Sequence, residues 1–333
     1  MSSDWSLSTV WNAGIAKPSE PNTPRDYLWA TELGKSPIDV YHRLRGEQYT
    51  NPPNLRSRRK FEAGNTFEWL VGLILKRSGL ILDEQVRSVH QYPGLLEVTG
   101  YADFLAGGKP DFAKGIAELK SLALPEVYIE IAEALQKHFE EQGNPELRTK
   151  MLEVKSVGAY MYESMEKKKV GMKQHRMQLF HYLKSHGLEQ GSIVYISRDD
   201  LRIFEVPIFN TEKYEEEYRT AIENLSYYYL NGIEPEKEAM VVYDEDSGRF
   251  STNWRVAYSG YLKKLYGYDT QADYDKANKA LPPRWNRVLT RFKKGEKMTT
   301  KNIEVIKEMA EAGFDVPNIA KSFVAATEEE PTE

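Results

Sequence analysis

The chain has no cysteine among its 333 residues. Disulfides, thiolate zinc sites and cysteine-ligated iron–sulfur clusters are thereby excluded. It has no apolar run near the roughly 18–20 residues that a membrane helix needs, so no membrane partner is expected. Its first residues, MSSDWSLSTVW, lack the basic and then apolar regions of a secretory signal, which leads to an expected cytoplasmic location, or host cytoplasm for a viral protein. It also lacks an excess of positive charge. The formal net charge is −5, so any attraction to nucleic acid must come from local patches.

Such patches are present. Arg56, Arg58, Arg59 and Lys60 form one. Lys167, Lys168, Lys169, Lys173 and Arg176 form a second, read as a mobile flap. Residues 284–301 form a third, followed by a helix expected to start near Thr300. Each run alone reads as a solvated helix face; together they flank one candidate site.

Residues 1–25 read as an irregular lead-in and 26–49 as helical, before a break at NPPN. FEAGNTFEWLVGLILKRSG, 61–79, carries Phe67, Leu70, Val71, Ile74 and Leu75 on one face and ends at a glycine, a helix pattern. ILDEQVRSVHQY and LLEVTGYADFLAGG read as strands, 111–142 as helix and MLEVKSV as a strand. A helix over 174–186, strands SIVYIS and RIFEVPI, and a helix over 211–231 follow. Aromatic-rich helices run from about 236 to 323, and the acidic tail 324–333 reads as disordered. Helices before, between and after a few strands indicate a mixed α/β core over 26–235, with a helical insertion at about 108–150 and a helical C-terminal region.

The phrase Glu-x-Lys occurs twice, as ELKS at 118–121 and EVKS at 153–156. A carboxylate and an ammonium two residues apart point into one pocket only on a strand, where side chains alternate. On a helix they diverge by about 200°. Met151, Glu153, Lys155 and Val157 would share one strand face, whereas Phe112, Ile116 and Leu119 fall at helical spacing around Glu118 and Lys120. Against that, Asp103 lies 15 residues before Glu118 and 50 before Glu153, so a simple hairpin would favour ELKS. EVKS is preferred, and Glu118 with Lys120 stands as the alternative pair.

Around EVKS other residues fall in order. Glu68 lies on the preceding helix, Asp103 in GYADFLAGG, and Gln178 and Tyr182 one helical turn apart in HRMQLFHYL, with His175 on their face. This order resembles the RecB-type branch of the PD-(D/E)xK nuclease superfamily over roughly residues 55–208. That branch carries an early acidic residue or His, then Asp, Glu-x-Lys and Gln-x-x-x-Tyr. The resemblance implies a restriction-endonuclease-like core and divalent-metal hydrolysis of phosphodiesters in DNA, with kinship to phage and CRISPR-associated exonucleases. It implies a setting of replication, recombination or repair, with proteins of those processes as partners.

Carried onto this sequence, Asp103 and Glu153 would bind Mg²⁺ or Mn²⁺, hard cations that prefer oxygen. Glu68 and the backbone carbonyl of Val154 would complete the set, Lys155 would position the attacking water, and Gln178 and Tyr182 would orient them. Arg58, Arg59, Lys60, Lys167, Lys168, Lys169, Lys173 and Arg176 would contact the DNA backbone. Two departures stand out. Glu68 replaces the His of many relatives, and NWRVAYSGYL, 253–262, has Tyr258, Ser259 and Tyr261 where some relatives close an iron–sulfur cluster with cysteines. A non-catalytic nucleic-acid-binding subunit and a structural interaction protein remain the other readings.

Overall fold

The computed structural model describes residues 6–16, 20–122, 126–244, 249–278, 285, 287, 288, 291 and 296–311. The chain divides into two compact units, one formed by 1–35, 43–46 and 53–233, the other by 36–42, 47–52 and 234–333.

The first unit is a mixed α/β core. Helix α1 (Leu7–Ile15) precedes strand β1 (Tyr27–Trp29) and a 3₁₀ turn (Ala30–Glu32); α2 (Pro37–Leu44), whose residues 37–42 belong to the second unit, comes next in the chain. Then come α3 (Leu55–Ser78), β2 (Ile81–His90), β3 (Glu97–Gly108), α4 (Phe112–Ser121), α5 (Val127–Glu141) and β4 (Leu147–Val157). They are followed by α6 (Ala159–Lys168), α7 (Lys173–His186), β5 (Gln190–Ser197), β6 (Ile203–Phe209) and α8 (Glu212–Leu230). The six strands form one sheet in the order β1-β3-β4-β5-β6, with β2 also paired to β3. β1–β3 and β4–β5 are parallel, and the other pairs antiparallel. This helix-flanked mixed sheet has the restriction-endonuclease-like arrangement.

Helix α3 starts where the Asn54 side chain accepts the Ser57 amide at 2.9 Å. It stops at Gly79, whose left-handed backbone and close approach to the Asp111 backbone leave no room for a side chain. Val71 packs with Phe104, Leu152, Val154, Val194 and Ile196 to form the core under this helix. On the other side of α3, Leu73 meets Leu119 and Ala132 of the insertion helices. The insertion therefore docks on α3 and leaves the sheet continuous from Gly108 to Leu147.

Several expectations need correction. The lead-in contains α1, capped by Ser6 on Thr9 and bonded to α3 through Asn12 and Arg59. Residues 26–49 hold a short strand and α2, because Gly34 to Pro37 interrupts the helical pattern. The stretch 111–142 is two helices, and β4 begins at Leu147, four residues before MLEVKSV. Helix α3 takes in Arg58, Arg59 and Lys60, which were expected to precede it.

The second unit holds a hairpin, β7 (Val241–Asp244) with β8 (Arg249–Thr252), where helix was expected. Helices α9 (Trp254–Ala257), α10 (Leu262–Tyr266), α11 (Gln271–Asn278) and α12 (Thr300–Glu311) follow, the last starting where the sequence indicated. Val256, Ala257, Leu262 and Tyr274 form one cluster, and Ile38, Tyr261 and Leu265 another. Asp39 accepts bonds from Ser259 Oγ at 2.7 Å and the Gly260 amide at 3.2 Å, so the NWRVAYSGYL segment is held by polar bonds and buried tyrosine. Much of the basic run 284–301, and all of the tail 324–333, lie outside the described residues. Among the described residues no helix is long and apolar enough to cross a membrane.

Candidate active site

The edge of β3 that faces β4 changes partner along its length. Its pairing with β4 runs from Gly108 to Phe104, opposite Leu147 to Leu152, and stops there. Its pairing with β1 covers Glu97 to Thr99. Residues 100–103 lie between the two ladders and face an opening, across which β4 continues from Glu153 paired to β5. Asp103 lies at the apex of this opening. Its Oδ2 accepts the Val154 amide at 2.6 Å, in place of a ladder bond.

Strand alternation brings Glu153 and Lys155 to the same side, and Lys155 Nζ donates to Glu153 Oε1. From α7, Gln178 Nε2 donates to Glu153 Oε1 at 2.7 Å and to the Tyr182 hydroxyl at 2.8 Å. The i, i+4 spacing of Gln178 and Tyr182 makes this chain possible. Tyr182 lies over Gly100, where an added Cβ would come within 3.0 Å of its ring. The fourth side of the cluster is α3. A Cβ at Gly72 would meet the Phe104 ring at 3.0 Å, and one at Gly64 would lie 3.9 Å from Ser156 Oγ. Eight helical residues advance about 12 Å and the four strand residues from Leu152 to Ser156 about 13 Å. Helix α3 therefore runs antiparallel to β4, with Glu68 midway, level with Val154.

The electrostatics follow from this crowding. Glu153 is 1% exposed and Asp103 8%. Burial, then the neighbouring Asp103, push the Glu153 carboxyl up to about 8. Burial also raises Asp103, and burial and then Asp103 raise Glu68. Burial pulls the Lys155 ammonium down, but Glu153, Asp103 and Glu68 outweigh it and raise it overall. All four groups hold protons more tightly than in water, as expected where three carboxylates share one ammonium. Glu153 Oε2 is buried with no hydrogen-bond partner among the described residues.

Two residues not singled out from sequence belong to the same site. Gln85 Nε2 donates to Glu68 Oε1 at 2.7 Å. The β2–β3 register, Glu84 opposite Phe104 and Val86 opposite Ala102, sets Gln85 across from Asp103, and its backbone is left-handed, with φ of 50°. Tyr195 pairs with Lys155 in the β4–β5 register. Its hydroxyl accepts the Met172 amide at 3.0 Å and lies 2.9 Å from His175 Nδ1. Burial, with Lys155 nearby, lowers His175 to about 3, so it is neutral. It is half-buried against Tyr195. Neither Gln85 nor Tyr195 belongs to a recognisable spacing, because each is brought in by strand register.

The alternative pair, Glu118 and Lys120, is exposed on α4, with Leu119 between them turned into the core. Among the basic residues, Arg58 Nε donates to Pro53 O at 3.2 Å, Arg59 bonds Asn12, and Lys60 is exposed. Lys167 and Lys168 end α6, Lys169 caps it in a left-handed conformation, and Lys173 opens α7. The expected flap is thus two helices and a short link. Arg176 is turned inward, bonding Gly171 O and lying 3.8 Å from Glu217.

The donors suit a hard cation, since Asp103 and Glu68 lie near enough to Glu153 to raise its carboxyl, and its buried Oε2 has no partner among the described residues. Among the described residues no three acidic or imidazole groups are gathered closely enough to hold an ion unaided. Water, a backbone carbonyl or substrate oxygens would have to complete the sphere, as is usual for Mg²⁺.

No protein-family profile and no curated protein matches this sequence. Among solved structures, the chain is similar to SSO0001 over 77% of this chain and 94% of that one, at 15% identity and a TM-score of 0.42. It is also similar to LHK-Exo, an alkaline exonuclease from Laribacter hongkongensis, over 68% of this chain and 94% of that one, at 13% identity and a TM-score of 0.40. The same enzyme in complex with dAMP matches equally. Similarity at this level leaves the chemistry to be read from the cluster itself.

Proposed function

We propose that the chain is a divalent-cation-dependent deoxyribonuclease of the RecB-like PD-(D/E)xK type, acting as an exonuclease in DNA replication, recombination or repair. The observation that carries the reading is the set of Asp103, Glu153 and Lys155 in the β3–β4 opening, with Glu153 Oε2 left without a partner among the described residues. The preference for exonuclease, and for a phage or prokaryotic cytoplasmic setting, rests on the ordered motif alone.

In this reading Asp103 and Glu153 hold Mg²⁺ or Mn²⁺, with Glu68 and the Val154 carbonyl completing the protein's share of ligands. When bound, the cation would supply a more acidic water and stabilise charge developing on the phosphate. The chain's own residues do the remaining work. The Asp103 carboxylate is aimed by the Val154 amide. Gln178 fixes the Glu153 carboxylate through Oε1 and leaves Oε2 for the ligand. Lys155 is charged, reaches solvent and sits within hydrogen-bond reach of the same carboxylate, so it can orient the attacking water against the scissile phosphate. Tyr182, whose hydroxyl burial holds above its ordinary pKa, acts as a neutral prop for Gln178.

The test uses end-labelled single- and double-stranded DNA with Mg²⁺, Mn²⁺ or EDTA, comparing wild type with Glu153→Ala/Lys155→Ala and Glu118→Ala/Lys120→Ala. Metal-dependent cleavage that disappears only in the first variant is expected. Loss only in the second would move the site to ELKS. No cleavage by wild type in any metal, with DNA still bound, would leave a non-catalytic binding subunit.

A further inference from the structure

The antiparallel course of α3 over β4 has a consequence at the mouth of the opening. Glu68 is level with Val154 and Gly64 with Ser156, so one turn earlier α3 reaches the end of β4 with Phe61. At that end the chain leaves β4 and enters α6, whose first exposed residues are Tyr160 and Met161. Phe61 is 58% exposed and Tyr160 87%. A single exposed aromatic needs no explanation, but here two flank the exit of the strand that carries Lys155. Cations continue both faces. Arg58 and Lys60 adjoin Phe61 on α3, and Tyr160, Met161, Ser164, Lys167 and Lys168 fall on one side of α6, with Lys169 beyond. The other side of α6 buries Tyr162 and Met165, and its Glu163 and Glu166 reach Arg202 at 3.6 and 3.9 Å. The outward side therefore offers a ring and a thioether at one end and ammonium groups at the other.

We infer that Phe61 and Tyr160 form a stacking rim for the bases of an unpaired DNA strand, whose phosphates run along the lysines of α6. The inference deepens the nuclease reading and rests on it for the direction of the strand, which passes the rim toward Lys155. It makes the reacting part of the substrate single-stranded, either a free strand or a frayed end. Rings accept any base by stacking, so the rim carries no sequence preference.

Binding in EDTA separates the inference from cleavage. The probes are a fluorescein-labelled oligodeoxythymidine and an abasic strand of equal length, followed by anisotropy. Wild type should prefer the thymidine strand. Phe61→Ala/Tyr160→Ala should bind it roughly tenfold or more weaker for each stacked base lost, with the abasic strand changed less than about twofold. Phe61→Trp/Tyr160→Trp should retain the preference. Lys167→Glu/Lys168→Glu should weaken both strands alike and flatten the salt dependence. Both aromatic side chains project into solvent, and unchanged circular dichroism would verify that truncation leaves the fold. Equal loss on both strands, or no loss on either, would overturn the rim. Cleavage with unaltered strand preference removes the rim and keeps the nuclease. A base-dependent loss without cleavage in any metal keeps the rim and removes the nuclease.

Discussion

Replacing Glu153 with Gln should make the protein more stable while removing activity. The carboxyl is buried, sits beside Asp103 and is raised from 4.5 to about 8. A folded-state pKa above the unfolded one means that the folded chain binds the extra proton. The group costs nothing below about pH 4.5, and its cost grows as pH rises, levelling off above about 8. At pH 7 linkage gives a cost of about 3 kcal/mol. Gln keeps the shape and the bond from Gln178, but puts a buried amide nitrogen at the Oε2 position, where no partner lies among the described residues, so a net gain of about 2 kcal/mol is expected. Urea unfolding in EDTA at pH 5, 7 and 8.5 measures it. The advantage of Glu153→Gln should be about 1 kcal/mol or less at pH 5 and increase with pH. Mn²⁺ should then raise the wild-type midpoint by mass action and leave the variant nearly unchanged. A variant less stable than wild type at every pH, or an advantage independent of pH, would refute the electrostatic account of the cluster.

Two further outcomes are expected. His181 is fully buried, its Nδ1 2.8 Å from the Tyr218 hydroxyl, and burial lowers it to about 3. The folded chain keeps it neutral while the unfolded chain protonates near 6.5, so stability falls as pH drops below that value, by about 2 kcal/mol at pH 5. His181→Phe should remove that part of the slope in urea titrations. Gln85→Gly relieves a left-handed backbone at a residue with a side chain and should add up to about 1 kcal/mol of stability. Losing the bond to Glu68 should at the same time weaken Mn²⁺ binding, read from the ligand-induced shift in melting temperature. A drop in both would mean that Gln85 serves the fold alone.

The parts of the site legible in the sequence are those set by local geometry. Alternation in MLEVKSV separates Glu153 and Lys155 from Leu152 and Val154, and the latter two do join the core beneath α3. The four-residue spacing of Gln178 and Tyr182 likewise gives one hydrogen-bonded chain. What long-range pairing decides was illegible. β1 is three residues long and finds its partner at Glu97–Thr99. Gln85 enters through register and a backbone conformation that no spacing reveals. Residues 36–42 belong with the C-terminal unit through bonds such as Asp39 to Ser259, 220 positions away. The 241–252 hairpin is two four-residue strands, too short for a period to register. The 15-residue distance from Asp103 to ELKS favoured the wrong secondary structure there, since α4 and α5 dock on α3 and let β3 pair with β4 across the insertion.

A simple ion pair would produce the same Glu-x-Lys alternation, and the balance of charge separates the two cases. Buried ion pairs in proteins are compensated, with opposite charges matched and remaining lone pairs satisfied, because an unmatched buried charge costs several kcal/mol. Here Lys155 is the ammonium whose field reaches Glu153, Asp103 and Glu68, and the cluster's other polar members, Gln178, Tyr182, Gln85 and His175, are all neutral. They can orient oxygens but cannot offset charge. Glu153 Oε2 has no donor among the described residues, although Gln178 has a second hydrogen and gives it to Tyr182 instead. A core selected only for stability would have used apolar groups of the same volume. An excess of negative charge held in place by neutral donors, open to solvent on the Lys155 side, is the arrangement that the proposed divalent cation and phosphate would complete together.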